Sequence, residues 1–128
     1  MKPFIYKTKI TDIDNGKNTG FFMVRGREDG SWSVHLHHWE KASSGCDTPE
    51  ACYPAAMDTL DNWMAETVKR HKEGLAIILS WPESRPGYRQ GWKSKELRKA
   101  GTHMARTIKA VEVVRRQVRD LMAQAEWP

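Results

Sequence analysis

Two cysteines among 128 residues, Cys46 and Cys52, exclude a disulfide-built scaffold. Long apolar runs are missing too. The longest aliphatic stretch, Leu75 to Leu79, falls well short of the ~20 residues that a membrane-crossing helix needs. The opening Met1-Lys2-Pro3-Phe4 has no apolar core of a signal peptide, and Lys7 and Lys9 follow at once. A soluble, cytoplasmic protein with no membrane partner is therefore expected. The motifs of nucleotide and metallohydrolase chemistry are absent: there is no phosphate-binding loop, dinucleotide fingerprint or His-Glu-x-x-His. Cys46 lacks any local signature of an activated nucleophile, and His38-Trp39-Glu40 offers an imidazole and an acid without a catalytic motif around them. The expectation is a protein that is not an enzyme and carries no cofactor.

Bulk for a core is nonetheless present. Six Trp, three Phe, three Tyr and six Met accompany 39% apolar residues, although the mean hydropathy is only −0.71. The charge is unevenly spread. From Arg85 to Arg119 eleven Lys/Arg face only Glu96 and Glu112, a net +9, while the remainder is net −4. Such a basic half attracts phosphate backbones or an acidic protein surface.

Read along the chain, residues 1–128 suggest one α+β domain. Residues 1–80 would form a sheet and a first helix, 81–92 a connector, and 93–126 a long C-terminal helix. Phe4, Tyr6 and Ile10 alternate with Lys7 and Lys9 as a strand requires. Phe21 to Arg25 and Ser31 to His37 form a hairpin across Arg27-Glu28-Asp29-Gly30, with Trp32, Val34 and Leu36 on one face. Lys41 to Asp47 reads as a polar loop. Thr48-Pro49-Glu50 has the hydroxyl, proline and acid of a helix start, and Pro54 means either a short turn before the helix or a kink in it. Met57, Leu60, Met64, Val68 and His71 continue at helical spacing toward Gly74, and Leu75 to Ser80 reads as a short buried strand. The expected order is β-β-β-α-β-α: an antiparallel sheet covered by two helices. The first five elements, with Gly45-Cys46-Asp47-Thr48-Pro49-Glu50, resemble the partial ribonuclease-H-like domain of small HicB-type antitoxins over about half the chain. The resemblance assigns no site residue.

The last third carries the strongest pattern. Leu97, Met104, Val111, Val118 and Ala125 recur every seven residues, with Gly101, Ile108, Arg115 and Met122 between them. This apolar seam, broken at Arg115, suits packing on the sheet, with the C-terminal end free to pair with a second copy as a homodimer. On the far side Lys95, Lys99, Arg106, Lys109 and Arg116 make a basic stripe. The connector before it interleaves Arg85, Tyr88, Arg89, Trp92 and Lys93, cations for phosphates and rings for bases. These ten residues are the candidate site of a small, weakly sequence-selective nucleic-acid-binding protein. The rival reading is a non-enzymatic regulator or inhibitor, of the kind phages and mobile elements encode, that engages a larger protein.

His35 and His37 share a strand face, with Cys46, Cys52 and His71 elsewhere in the sequence. Five residues separate the two cysteines, outside the short spacing that aims two thiolates at one zinc ion. No metal is expected. Elemental analysis of the purified protein should find no stoichiometric zinc, and a chelator should leave its melting temperature unchanged. One zinc per chain would overturn this.

Overall fold

The computed structural model describes residues 2–36 and 40–128. Four antiparallel strands run in sequence order across one sheet: β1 (Phe4–Ile10), β2 (Gly20–Gly26), β3 (Trp32–Leu36) and β4 (Glu40–Cys46). Two helices follow, α1 (Cys52–Ser80) and α2 (Trp92–Gln124). The class is α+β with a long second helix.

Alternation decides which face of the sheet is covered. Phe22 and Val24 on β2, and Trp32, Val34 and Leu36 on β3, are buried together, while Lys7, Lys9 and Arg25 point outward. In register, Tyr6 opposes Val24, and Val24 opposes Val34. The hairpin turn is closed by Gly30, whose φ of 83° is a conformation that residues with a Cβ rarely adopt. Within it the Asp29 carboxylate accepts bonds from the hydroxyl and backbone N–H of Ser31, which hold its pKa below the usual carboxylate value. Gly26 has a different reason to lack a side chain. The Trp32 ring lies across it, and a Cβ there would sit 2.9 Å from a ring carbon.

Onto this face the helices set short side chains. Cys52, Ala56 and Leu60 come from the start of α1, and Val111, Val114 and Val118 from the end of α2; all six are buried. Beyond them, α1 has no further buried residue. At ~1.5 Å per residue α1 is about 43 Å long, whereas a seven-residue strand spans only about 23 Å. The far half of the helical hairpin therefore extends past the sheet. Its antiparallel register is marked by three links that climb α1 as they descend α2: the Asp61–Arg115 ion pair, the facing rings of His71 and His103 at 5.1 Å, and the bond from Lys93 Nζ to the Leu79 carbonyl. After α2 the chain turns back, and Trp127 packs edge-on against Phe4, Tyr6 and Trp32. Thr11 N–H donates to Gln117 Oε1, tying the end of β1 to α2.

The element order differs from expectation at two places. Of Lys41 to Asp47, read as a polar loop, all but Asp47 belongs to β4; its backbone pairs with β3 through two register shifts, and that pairing leaves no apolar alternation in the sequence to detect. Leu75 to Ser80, read as a strand after Gly74, instead completes α1. Gly74 weakens a helix by only about 1 kcal/mol. Leu75 and Ile78 are half-buried, while Ile77 and Leu79 stay exposed. The order is β-β-β-β-α-α. Ahead of α1, Thr48 Oγ1 accepts the Ala51 N–H in a short turn, so Pro54 falls in the first helical turn, where no bond is lost. Of the histidine cluster, His37 and His38 lie outside the described residues.

Two glycines test this packing in opposite directions. Gly26→Ala should destabilise the protein by roughly 1–3 kcal/mol by displacing Trp32. Gly101→Ala, where a Cβ meets nothing within 4 Å in mid-helix, should stabilise by up to about 1 kcal/mol. Urea denaturation of both variants checks the signs.

Candidate functional site

The connector 81–91 closes the far end of the hairpin and folds into a compact knot. Trp92 is 8% exposed, and its indole N–H donates to the Glu83 carbonyl at 2.8 Å. Trp81 and Tyr88 stack against it with centroids 5.8 and 4.9 Å away. The Arg85 guanidinium sits over all three rings, 4.7–5.6 Å from their centroids. Lys93 Nζ donates to the carbonyls of Leu79 and Trp81, at 2.9 and 2.7 Å, satisfying acceptors that the end of α1 leaves open.

This geometry divides the ten sequence candidates into two groups. Trp92 is a buried anchor, Arg85 is held among rings, and Lys93 terminates α1. These three are engaged in structure, because the sequence pattern that suits an open nucleic-acid platform also suits a loop that closes on itself. Tyr88, 53% exposed, and Arg89 remain on the surface of the knot. Trp81, which sequence order places after a buried strand, instead follows a helix end and is 37% exposed.

The five stripe residues, Lys95, Lys99, Arg106, Lys109 and Arg116, are all exposed. The rotation of α2 accounts for this: burial of Val111, Val114 and Val118 leaves the stripe residues, roughly a quarter to a half of the helical circumference away, facing solvent. Lys95 to Arg116 spans about 32 Å along the helix axis. Lys95, Lys99 and Arg106 line one shallow depression with Arg98, Thr102 and His103. Arg98 belongs with the stripe by position, three residues after Lys95; that spacing was the signal for it. Glu112 borders a cleft between the helices with Met64, Val68 and Ile108. It also lines the next cleft beside Arg116, four residues on, so this acid adjoins the C-terminal end of the stripe. Arg116 borders the adjoining cleft beside Tyr53, Met57 and Arg115. The interruption at Arg115 is resolved by its ion pair with Asp61, in which both side chains stay partly exposed.

Among the described residues no group of three or more His, Cys, Asp or Glu side chains is arranged to hold a metal ion. Cys46 is half-buried and Cys52 buried, and no disulfide joins them. Among the described residues, too, no helix is long and apolar enough to cross a membrane. No protein-family model, curated protein or solved structure matches the chain. The likeness to HicB-type antitoxins weakens with the element order, since no strand follows α1 among the described residues.

The two tryptophans of the knot should separate by burial. Trp92→Ala should lower stability by about 3 kcal/mol or more, the scale of truncating a buried aromatic. Trp81→Ala should cost clearly less. Equal losses in thermal unfolding would mean that Trp92 does not anchor the connector.

Proposed function

We propose that this protein binds nucleic acid through the outward side of α2. One observation carries the reading. Lys95, Lys99, Arg106, Lys109 and Arg116 stand exposed along about 32 Å of one helix, and Arg98 lies among them. Nothing else in the chain concentrates charge of one sign so strongly: residues 85–119 are net +9. Lys and Arg neutralise phosphates and release their counterions, which gives affinity without reading bases. The stripe carries no side-chain arrangement that implies base readout, and on this reading sequence selectivity is weak. A single helix about 10–12 Å across fits a major groove of similar width, and duplex is the form this stripe suits. Tyr88 and Arg89 stand at the N-terminal end of the same helix, where they extend the contact.

A second reading rests on a separate observation. Ile77, Leu79, Trp81 and Tyr88, four large apolar side chains, are each exposed near the tip of the hairpin. Aromatic side chains held rigid on a projection are what protein partners anchor on, which favours a regulator or inhibitor of a larger protein. Recovery of one host protein with the purified chain, undiminished by nuclease treatment, would select this second reading.

The stripe is tested by charge reversal. Lys99→Glu, Arg106→Glu and Lys109→Glu together should abolish binding to a labelled duplex while leaving the melting temperature nearly unchanged. For the parent, log affinity should fall steeply with log salt, by roughly 0.9 per phosphate contacted. Binding that ignores salt would remove the electrostatic reading.

A further inference from the structure

The sheet face turned away from the helices carries a cationic surface separate from α2. Its pattern is a ladder. Lys9 stands opposite Phe21, Lys7 opposite Met23, and Arg25 opposite Ile5. Each of the three outward rungs of β1 and β2 thus pairs one cation with one apolar side chain. Cross-strand neighbours lie about 5 Å apart, and successive outward rungs about 7 Å apart. Lys9, Arg25 and Ile5 are exposed, Ile5 at 59%, and the Lys7 ammonium lies 4.9 Å from the Phe21 ring centroid. None of the outward positions of β1, β2 and β3 is Asp or Glu.

We propose that this face binds single-stranded nucleic acid, with phosphates on Lys7, Lys9 and Arg25 and bases against the apolar member of each rung. The proposal rests on the nucleic-acid reading and adds the strand state and a second surface. Lysines on an edge strand also discourage strand addition. That role covers Lys7 and Lys9 on β1 but not Arg25, which lies on an interior strand. Dimensions argue against a duplex here. Four strands about 4.8 Å apart set the outer two roughly 14 Å apart, wider than a major groove of about 12 Å before side chains are added. An unpaired strand meets no such limit, and its bases offer flat faces to the apolar side chains. An acidic protein surface would satisfy the cations and leave the apolar half of every rung unused.

The test compares oligo-dT of roughly 16 nucleotides with a duplex of equal length, by fluorescence anisotropy. Lys9→Glu with Arg25→Glu should weaken oligo-dT binding at least tenfold and leave duplex binding unchanged. Lys9→Gln with Arg25→Gln should lose less, and its salt slope should fall by about 1.4, two phosphates at roughly 0.7 each. In the unmodified protein, the Met23 methyl resonance should move on adding oligo-dT, a readout independent of any variant's folding. Duplex binding without oligo-dT binding would overturn the sheet surface and leave the α2 reading standing. An immobile Met23 methyl, or sheet variants that bind oligo-dT like the parent, would likewise overturn it. Displacement of oligo-dT by poly-glutamate as readily as by unlabelled oligo-dT would do the same, in favour of an acidic protein. Failure to bind either nucleic acid would remove both proposals.

Discussion

The seam between helices and sheet rests on six short side chains, and the placement of every exposed group follows from it. Cys52, Ala56 and Leu60 on α1, and Val111, Val114 and Val118 on α2, are at most 1% exposed. Short side chains allow close approach, while the sheet supplies the bulk through Phe22, Trp32 and Leu36. A helix seated by residues three and four apart cannot rotate without lifting them from the core. The burial of three valines therefore settles which direction Lys99 and Arg106 face, although neither touches the core. A substitution that forced α2 to roll would move the basic residues without changing one of them.

Charge contributes to the hairpin mainly in register, not in net stability. The Asp61–Arg115 pair leaves its side chains 46% and 39% exposed. Pairs open to solvent to this degree contribute at most about 1 kcal/mol. What the pair does is relieve an otherwise awkward position in the apolar seam and fix which turn of α1 lies beside which turn of α2. The Lys93 bonds to Leu79 and Trp81 repeat that alignment at the far end.

Much of the sheet was legible because alternation and turn chemistry are local signals. Phe4, Tyr6 and Ile10, the Asp29-Gly30 turn, and Trp32, Val34 and Leu36 declare themselves through spacing alone. β4 did not, since Lys41-Ala42-Ser43-Ser44-Gly45 has no alternation and owes its conformation to β3 beside it. Leu75 to Leu79 misled for the converse reason: a short aliphatic run fits a buried strand as well as a helix, and only contact with α2 decides. The stripe on α2 was readable from periodicity. The fate of Arg85, Trp92 and Lys93 was not, because whether a ring and a cation face solvent or each other depends on how the connector closes. The outward rungs of the sheet became visible only with the β1–β2 register in hand.

The overhanging half of the hairpin gives the molecule a gradient of local stability along its length. Near the sheet, an amide must break a three-element core to exchange with solvent. Past Leu60 α1 has no fully buried residue. Trp63 and Met64 still border the core, and the β1–β2 loop flanks the cleft that runs to His71 and His103. Beyond that cleft the helical turns are held on one side only and open at a fraction of the global unfolding free energy. Opening of that kind ordinarily starts at free ends, but here the outer end is shut by a guanidinium lodged among three aromatic rings. The weakest stretch is accordingly moved inward, to the turns between the cleft at His71 and His103 and the clamped tip. A long thin projection clamped at both ends bends at its waist, so the tip of this hairpin can swing relative to the sheet while each end keeps its own shape.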